Sequence, residues 1–445
     1  MKLFIPCTVT LGLIASTIAT QDLQFSPVGE DPIPAILAEV SPERLMGHVE
    51  KLVSFHTRHT FSETESDERG IGAARRWLKS EFQAIAKQTG GRLEVREQRF
   101  VQAIRGQEVE LVTVYGFLPG TAVEPEGRTY VVSGHYDSRA SDAMDATSFA
   151  PGADDDASGT AVVLELARVM SGHEYAANLV FMCVPAEEQG LYGAAHFAEE
   201  AEAQPVFVDG MLTNDIVGGV EGGNGVRDDV TIRCFSDAEG LHSTSRELAR
   251  AVRASAVRYV PDANVSLIFR LDRFGRGGDH KPFHERGFPA VRMTEANEFY
   301  ERQHQDVREE DGVQYGDLLK YVSGPYMGKV TRVDAAVLAE LALAPAPPTG
   351  LSMRAAVSYD TQLSWEPDAS GQAAAYEVVW RATTAPDWEH SRLVANEVSE
   401  MRSRRGTRQV VSTTIEGVTA DGYFFGVRSV SAGGHRSRVT YPNRP

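Results

Sequence analysis

Apolar strand patterns and helical patterns alternate through the middle of the chain, and this alternation restricts the folds that it can adopt. A buried-strand pattern ends at His135 and a helical pattern begins at Ser158, and a second pair follows as "NLVFMCVPAEE" and "GLYGAAHFAEEAE". The later segments "PVFVDGMLTNDIVG" and "DDVTIRCFS" also have strand patterns. Strands that alternate with helices are typical of an α/β domain. We therefore predict a mixed, largely parallel central sheet flanked by helices within residues 21–343.

A proline-rich segment at 344–349 predicts a linker to a second domain. Residues 350–445 show short alternating segments between turn residues, which predicts an all-β sandwich. With Trp365 and the Tyr376–Trp380 segment "YEVVW", this part resembles a fibronectin type III domain. The linker and the change of fold class predict an independent domain. We therefore expect a chain that ends at Ala346 to keep the activity of its α/β part on small substrates.

Residues 1–20 form the only strongly apolar tract of the chain. Lys2 lies before the apolar residues and small residues follow them, which predicts a signal peptide cleaved near Ala19–Thr20. The expected location is therefore secreted or periplasmic. A buried N-terminal strand and an uncleaved anchor are the alternative interpretations.

The chain is acidic, with a formal net charge of −18 over 445 residues. This charge argues against nucleic acid and anionic membranes as partners, so we expect no membrane association after cleavage of the signal peptide. Cleavage would leave two cysteines, Cys183 and Cys234, both within buried-strand patterns. We expect two free core thiols rather than a disulfide bond.

Polar residues follow the predicted strands where each strand ends, and His135 with Asp137 is the first such group. The carboxyl ends of parallel strands form the binding edge of α/β domains. A metal-bound histidine usually donates its second ring N–H to a carboxylate, and Asp137 is placed to accept it. A hydrogen-bonded structural histidine is the alternative interpretation of His135 alone.

The second group is the run of three aspartates in "PGADDDASG", which immediately precedes a predicted helix. One or two of these residues could serve only to cap the helix N-terminus. Three adjacent carboxylates repel one another, however, and a bound cation would relieve that repulsion. The run therefore favours a cation site at the start of the helix.

Glu187 and Glu188 follow another buried strand, and Asp215 follows a third. Because adjacent side chains diverge, one glutamate can bind a metal while the other accepts a proton from water. Two acids in a helix first turn are the alternative interpretation. His304 lies further along in "QHQD", with Asp306 two residues later. Carboxylate and imidazole ligands without thiolate suit a hydrolytic zinc pair with an open position for water.

The segments "GHYD", "GADDDASGTA", "AEEQGLYGA", "NDIVG", "GGDHKPFHERGFPAV" and "QHQD" occur in one order over about Pro42 to Leu343. In that order and approximate spacing they resemble the co-catalytic di-zinc aminopeptidase family, metallopeptidase family 28. The resemblance implies two Zn²⁺ ions, peptide substrates and hydrolysis by a water that bridges the metals.

By motif position, the resemblance implies that Asp155 bridges the two metals and that Glu187 is the general base. The implied metal ligands are His135, Asp155, Glu188, Asp215 and His304. Asp137, Asp156 and Asp306 would contact ligands rather than metals, and Asp279 with His280 would have a similar or structural role. The resemblance also implies a cis peptide bond between Asp155 and Asp156.

The function implied is a secreted zinc-dependent exopeptidase, most simply an aminopeptidase. A carboxypeptidase, a glutaminyl-cyclase-like member of the same fold and a non-catalytic receptor-like protein are the alternatives. The chain departs from the usual family pattern around the late histidine, where the spacing is shorter. The donor to the substrate oxyanion is therefore left open among Tyr300, Arg273 and Arg276.

Overall fold

The computed structural model describes residues 25–122, 127–204, 207–237, 243–403 and 406–442. The predicted signal peptide at 1–20 lies outside the described residues. Within the described part of the chain, no helix has both the length and the apolar character needed to cross a bilayer.

The first part of the chain contains helices whose starts are set by short polar side chains. Ser41, Asp156 and Ser243 each accept a hydrogen bond from a backbone N–H in the first turn of the helix that follows. In the described residues the α-helices are α1 (Ile33–Ala38), α2 (Pro42–Val53), α3 (Gly70–Gln88), α4 (Ala157–Met170), α5 (Tyr192–Ala203), α6 (Thr244–Tyr259), α7 (His280–Glu285) and α8 (Gly324–Leu343).

An eight-stranded sheet forms the centre of this part, in the order β1-β2-β4-β3-β5-β8-β6-β7. The strands are β1 (Glu94–Ile104), β2 (Gln107–Leu118), β3 (Thr129–His135), β4 (Asn178–Val184), β5 (Val208–Asn214), β6 (Thr231–Phe235), β7 (Asn264–Ile268) and β8 (Ala290–Glu295), and a separate hairpin comprises β9 (Arg308–Glu310) and β10 (Val313–Tyr315).

The four central strands β4, β3, β5 and β8 run parallel to one another. The strands β3, β5 and β8 are buried along their whole length, and β4 is buried beyond its first residue. The strand β2 pairs antiparallel with β1 and β4, and β6 pairs antiparallel with β8. The prediction of a mixed, largely parallel sheet is confirmed, and the carboxyl ends of the four parallel strands meet at one edge.

Helices cover both faces of the sheet. One face packs against α4, α6 and α8 through a large apolar cluster, and the other packs against α5 and α7 through a smaller one. Both faces of the parallel strands are therefore removed from water, which explains why those strands are continuously apolar. Cys183 in β4 and Cys234 in β6 are buried free thiols, as predicted.

Several elements were not predicted from the sequence. These are α1, α7, α8, β7, β8 and the β9–β10 hairpin. The strand β8 matters most, because it adds the fourth parallel strand and leads into the segment that carries His304. It lies in "AVRMTE", where buried Arg292 and Glu295 interrupt the apolar pattern.

The second part of the chain consists of two antiparallel sheets. Their strands are β11 (Thr349–Arg354), β12 (Thr361–Glu366), β13 (Ala375–Ala382), β14 (His390–Ala395), β15 (Ser399–Ser403), β16 (Gly406–Ile415) and β17 (Tyr423–Val430). The sheet orders are β11-β12-β16-β15 and β14-β13-β17. Side chains from both sheets, including Trp365 and Tyr376, form one apolar cluster. This is the predicted all-β sandwich.

The sandwich is docked on the α/β part through buried polar contacts. Arg438 donates to the fully buried Asp209 at 2.5 Å. Trp388 Nε1 and the Tyr441 hydroxyl both donate to the buried Glu247, at 2.9 and 2.5 Å. Buried carboxylates of the α/β part therefore have hydrogen-bond donors from the sandwich. The sequence predicted only a linker between the two parts.

Candidate metal centre

Five side chains converge at the carboxyl edge of the parallel strands. His135 ends β3, Glu188 follows β4 and Asp215 follows β5. Asp155 lies in the loop between β3 and α4, and His304 lies beyond β8. The strand order places β3 between β4 and β5, so the three strand-end residues are neighbours although they are far apart in sequence.

These side chains form two groups that could each hold a metal ion. In the first group, His135 Nε2 lies 3.1 Å from Asp155 Oδ1 and 4.0 Å from Asp215 Oδ1. In the second group, His304 Nε2 lies 3.0 Å from both Asp155 Oδ2 and Glu188 Oε2. Asp155 thus presents one carboxylate oxygen to each group, which is the arrangement of a bridging ligand.

Asp137 orients the ring of His135. The Nδ1 atom of His135 lies 3.2 Å from the backbone oxygen of Asp137 and 3.4 Å from its side-chain Oδ1. In a metal-loaded site, the ring would keep its proton on Nδ1, towards Asp137, and present the Nε2 lone pair as a ligand. Burial alone would lower the pKa of His135, but hydrogen bonds from the ring to Asp137 and Asp155 raise it well above its usual value.

The three consecutive aspartates have three different environments. Asp154 accepts a hydrogen bond from the Gly218 amide at 2.7 Å. Asp156 accepts one from the His135 amide at 3.0 Å and one from the Gly159 amide at 2.9 Å, so it caps α4 and fixes the end of β3. The peptide bond between Asp155 and Asp156 is cis, as expected. Only the middle aspartate faces the two histidines.

Asp155 is held as an anion by its surroundings. Burial alone would raise the pKa of this carboxyl, but the hydrogen bonds and charges of His135 and His304 hold it well below its usual value. An ionised carboxylate with one oxygen towards each histidine is the form that binds cations.

The two adjacent glutamates are positioned by the same aspartate that orients His135. The amide of Glu187 donates to Asp137 Oδ1 and the amide of Glu188 donates to Asp137 Oδ2, both at 3.2 Å. Asp137 therefore connects the ends of β3 and β4. Glu188 faces His304, and Glu187 also lines the cleft at the strand edge. Burial raises the pKa of Glu187 well above its usual value.

Asp306 contacts Ser141, and its expected role beside His304 stays a prediction. Its side chain accepts from the Ser141 amide at 3.2 Å, and its own amide donates to the Ser141 hydroxyl at 2.9 Å. It thus joins the segment that carries His304 to the loop that follows β3.

The candidate oxyanion donors differ in their placement. Tyr300 is 68% exposed and lies outside the set of residues that line the cleft, which favours the two arginines over Tyr300 as the oxyanion donor. Arg273 and Arg276 both line the cleft. Both also donate to Glu298, at 3.0 and 2.6 Å.

Four residues of the site were missed or underestimated from the sequence. Asp317 accepts the amides of Asp154 and Asp155 at 2.7–2.9 Å and so holds the bridging loop. Fully buried Arg292 lies 2.7 Å from Asp215 Oδ2, the oxygen that points away from His135. A buried charge within the strand-like "AVRMTE" is the one signal that could have identified Arg292.

The other two residues surround the ligands without facing them. Buried Arg58 donates to the backbone oxygens of Tyr136 at 2.8 Å and Gly152 at 2.9 Å, so it joins the end of β3 to the loop that leads into the aspartate run. Asp279 is buried near Asp215, and within the described structure neither of its carboxylate oxygens has a hydrogen-bond partner. Burial raises the pKa of Asp279 to about 7.

The residues of the site fit a pair of zinc ions. Their donors are imidazole nitrogens and carboxylate oxygens, and each of the two groups supplies three ligands within 4.8 Å of one another. The buried Oε1 atom of Glu188 has no hydrogen-bond partner in the described structure. A cation would compensate the convergence of Asp155, Glu188 and Asp215, which otherwise leaves several buried acids close together.

Comparison with known proteins identifies close relatives. Residues 113–321 match the model of peptidase family M28. A probable zinc metalloprotease of Leptosphaeria maculans is 40% identical over 437 residues, which covers 94% of this chain and 98% of that protein. One from Pyricularia oryzae is 39% identical and covers 94% of this chain and 87% of that protein. The similarity therefore extends into the C-terminal sandwich.

Solved structures share the fold at lower identity. The LapA aminopeptidase of Legionella pneumophila is 22% identical with a TM-score of 0.54, over 77% of this chain and 80% of that one. The glutaminyl cyclase of Porphyromonas gingivalis is 15% identical with a TM-score of 0.50, over 67% of this chain and 98% of that one. At these identities the likeness establishes the fold alone.

Proposed function

Because the chain belongs to peptidase family M28 and its relatives are named as zinc metalloproteases, we propose that it is an aminopeptidase that removes the N-terminal residue of peptides. One observation carries this proposal. Asp155 presents one oxygen to each of two histidine-containing groups, and Glu187 lines the cleft beside them. Such an arrangement suits hydrolysis assisted by two metals.

In this proposal the two groups hold one zinc ion each. His135, Asp155 and Asp215 bind the first ion, and Asp155, Glu188 and His304 bind the second. Bound zinc ions would polarise the carbonyl of the substrate and increase the acidity of water. The distances of 3.0–4.0 Å between the donor atoms support this assignment.

Glu187 is the proposed general base. Glu187 is adjacent in sequence to the proposed ligand Glu188, but its side chain points in a different direction because successive side chains diverge. It would accept a proton from the attacking water and deliver it to the leaving amine. The hydrogen bond from the backbone amide of Glu187 to Asp137 fixes its position relative to His135, since Asp137 also contacts the ring of His135. Burial raises the pKa of Glu187 well above its usual value, which makes its carboxylate a stronger proton acceptor.

Arg276 is the remaining candidate for binding the substrate oxyanion. It lines the cleft and its side chain is 29% exposed, whereas that of Arg273 is only 9% exposed.

We also propose that the protein acts outside the cytoplasm, on the basis of the predicted signal peptide at 1–20. The C-terminal sandwich resembles a fibronectin type III domain, and we propose that it stabilises the α/β part.

A glutaminyl cyclase is the second candidate function, because a cyclase has the same fold. This chain retains both histidine-containing groups, whereas cyclases related to the family work with one zinc ion. Two complete groups favour hydrolysis over cyclisation.

The proposal is tested with one peptide sequence in three forms: unmodified, N-terminally acetylated and C-terminally amidated. Mass spectrometry should show stepwise loss of N-terminal residues from the unmodified and amidated forms only. A chelator should stop the reaction, and added zinc should restore it. Cleavage of the acetylated peptide at its C-terminus would instead identify a carboxypeptidase, and loss of ammonia from a peptide that begins with glutamine would identify a cyclase.

A further inference from the structure

The cleft beside the candidate metal centre has basic side chains as well as carboxylates. Its volume is about 740 Å³, and its lining includes Arg139, Arg276 and Lys281 together with the proposed ligands. We refer to Arg139, Arg276 and Lys281 as the cationic wall. Three exposed or half-exposed basic residues in one cleft are notable in a chain with a net charge of −18.

Part of the basic charge near the cleft is already paired. Glu298 accepts from Arg233, Arg273 and Arg276 at 2.7, 3.0 and 2.6 Å, so one carboxylate serves three guanidinium groups. Arg273 also pairs with Asp272 at 3.0 Å. Arg276 makes its bonds to Glu298 and Gln303 through the single atom Nη1. Positive charge therefore remains in excess around Glu298.

Arg139 has no acidic partner in the described structure. Its Nε donates to the backbone oxygen of Ala140 at 3.1 Å and its Nη2 donates to that of Ser141 at 3.0 Å. Ser141 is in turn bonded to Asp306, so this arginine is fixed close to the segment that carries His304. A guanidinium that is positioned by neutral carbonyl oxygens keeps its full charge for a ligand.

Lys281 completes the wall from the first turn of α7. Its ammonium lies 3.8 Å from Glu285, and both side chains are substantially exposed, at 42% and 56%. An exposed pair of this kind is weak and screened by salt, so the ammonium can exchange this partner for another.

The cationic wall is not needed to neutralise the carboxylates of the metal centre. Two divalent cations at the proposed sites would balance the charges of Asp155, Glu187, Glu188 and Asp215 without any help from Arg139 or Lys281. The loaded cleft would then be positive, and its complement is an anion. Arginine and lysine are the residues that bind carboxylates.

We propose that the cationic wall binds a carboxylate of the peptide substrate through Arg139 and Lys281, so that the enzyme prefers peptides with an acid group close to the scissile bond. This inference rests on the proposed aminopeptidase function and specifies its substrate class. The carboxylate could be the side chain of the first or second residue, or the C-terminus of a short peptide. The three sources have the same chemistry and differ only in their distance from the bond that is cleaved.

The test measures binding of matched dipeptides to zinc-loaded protein with the substitution Glu187→Gln, which should bind substrates without consuming them. Asp-Ala amide against Asn-Ala amide tests the first side chain. Ala-Glu amide against Ala-Gln amide tests the second, and Ala-Ala against Ala-Ala amide tests the C-terminus. In at least one pair the acidic member should bind about tenfold more tightly at low salt, the effect of one charge-assisted hydrogen bond.

The double substitution Arg139→Gln/Lys281→Gln, made in the same background, should reduce that ratio towards one. Exposed Lys87 lies at the end of α3, and Lys87→Gln is the matched control that should leave the ratio unchanged. If the double variant fails to fold, the two single variants provide the same measurement. The absence of preference in all three pairs would overturn the proposal, and so would a preference that survives the double substitution.

Hydrolysis by the wild-type protein separates this inference from the function on which it rests. If none of the free-amine dipeptides is cleaved, the proposed aminopeptidase function fails, while a binding preference that depends on Arg139 and Lys281 would still support the wall. If the dipeptides are cleaved without any preference for the acidic members, the function stands and the wall has no role in selecting substrates.

Discussion

At the scale of single residues, identical side chains that are adjacent in sequence have different roles in the site. Asp154 accepts the Gly218 amide, Asp155 faces both histidines, and Asp156 caps α4. Three like charges in sequence are thus separated in space by the backbone geometry around them. The same principle separates Glu187 from Glu188, since only Glu188 contacts His304.

The substitution Glu187→Gln should reduce turnover by about 10²–10⁴-fold, because it removes the proton acceptor and keeps the size of the side chain. Both metal ions should remain bound, and substrate affinity should change much less. Glu188→Gln is the matched control and should weaken one metal site. Metal analysis with steady-state kinetics on both variants decides the assignment. Loss of metal from Glu187→Gln but not from Glu188→Gln would reverse the two roles.

Four of the five ligands could be predicted from the sequence because each one follows a recognisable apolar strand or precedes a helix. His304 follows a strand that was not recognised, and only the order of the motifs pointed to it. Asp317 and Arg292 could not be predicted in this way. Asp317 acts on residues more than 160 positions away through backbone amides, which leave no trace in a local pattern. Arg292 is a charge inside a strand, and its partners Asp215 and Asp272 come from other elements.

At the scale of elements, the parallel strands β4, β3, β5 and β8 bring the site together. Close packing makes this possible, because a Cβ atom on Gly134 in β3 would lie 2.5 Å from the backbone of Gly159 in α4. The helix that begins after the bridging aspartate therefore lies directly against the strand that ends in His135. Alternating patterns were sufficient to predict the sheet, but its order depends on long-range pairing and was not predictable.

Asp317→Ala should weaken both metal sites, since the amides of Asp154 and Asp155 would lose the carboxylate that holds them. We expect a loss of about 10–100-fold in zinc affinity, as for other residues that position metal ligands. The measurement is a competition titration of zinc against a chelator. Glu309→Ala, at an exposed position of the nearby hairpin, is the control. Unchanged zinc affinity in Asp317→Ala would show that the loop keeps its shape without this residue.

At the scale of the whole molecule, the sandwich and the α/β part are joined by buried charges as well as by a linker. Asp209, Glu247 and Glu340 all belong to the α/β part and all accept hydrogen bonds from residues beyond 380. The residues that line the cleft, by contrast, all precede residue 305. Such docking was not predictable, because the partners on the two sides carry no shared sequence signal.

A chain that ends at Ala346 should therefore lose stability while retaining the proposed catalytic residues. Truncation removes the partners of Asp209, Glu247 and Glu340 and exposes these carboxylates to water, so the free energy of unfolding should fall. A point substitution that leaves one of them buried without its partner typically costs about 3–5 kcal/mol. Arg438→Met in the full chain should produce part of the same loss, and Arg354→Met, at an exposed position, should not. Denaturant unfolding measures both. A truncated chain as stable as the full one would show that the docking contributes nothing.

The stability that the contact between the sandwich and the α/β part provides should also depend on pH, through the carboxyl of Glu340. Burial alone would raise the pKa of this carboxyl, but the hydrogen bond and charge of His435 and the charge of Arg258 hold it below its ordinary value of 4.5. A depressed folded pKa gives stability that is present above pH 4.5 and is lost as the pH falls further.

Replacing Glu340 with glutamine should accordingly flatten the fall in unfolding free energy between neutral pH and pH values below 4.5. Glu416→Gln, at an exposed position of the sandwich, is the matched control. The free energy of unfolding is measured across this range for the wild type and both variants. Identical slopes in the wild type and Glu340→Gln would contradict the account of this contact.

The central claim is that one carboxylate, that of Asp155, joins two metal sites in a working peptidase. The most direct test is the number of metal ions per chain in fully active protein, measured by elemental analysis alongside hydrolysis of an unblocked peptide. We expect two zinc ions per chain in the wild type, and Asp155→Ala should lose both ions together with activity. Full activity with one ion or none, or an Asp155→Ala protein that keeps both ions, would contradict the claim.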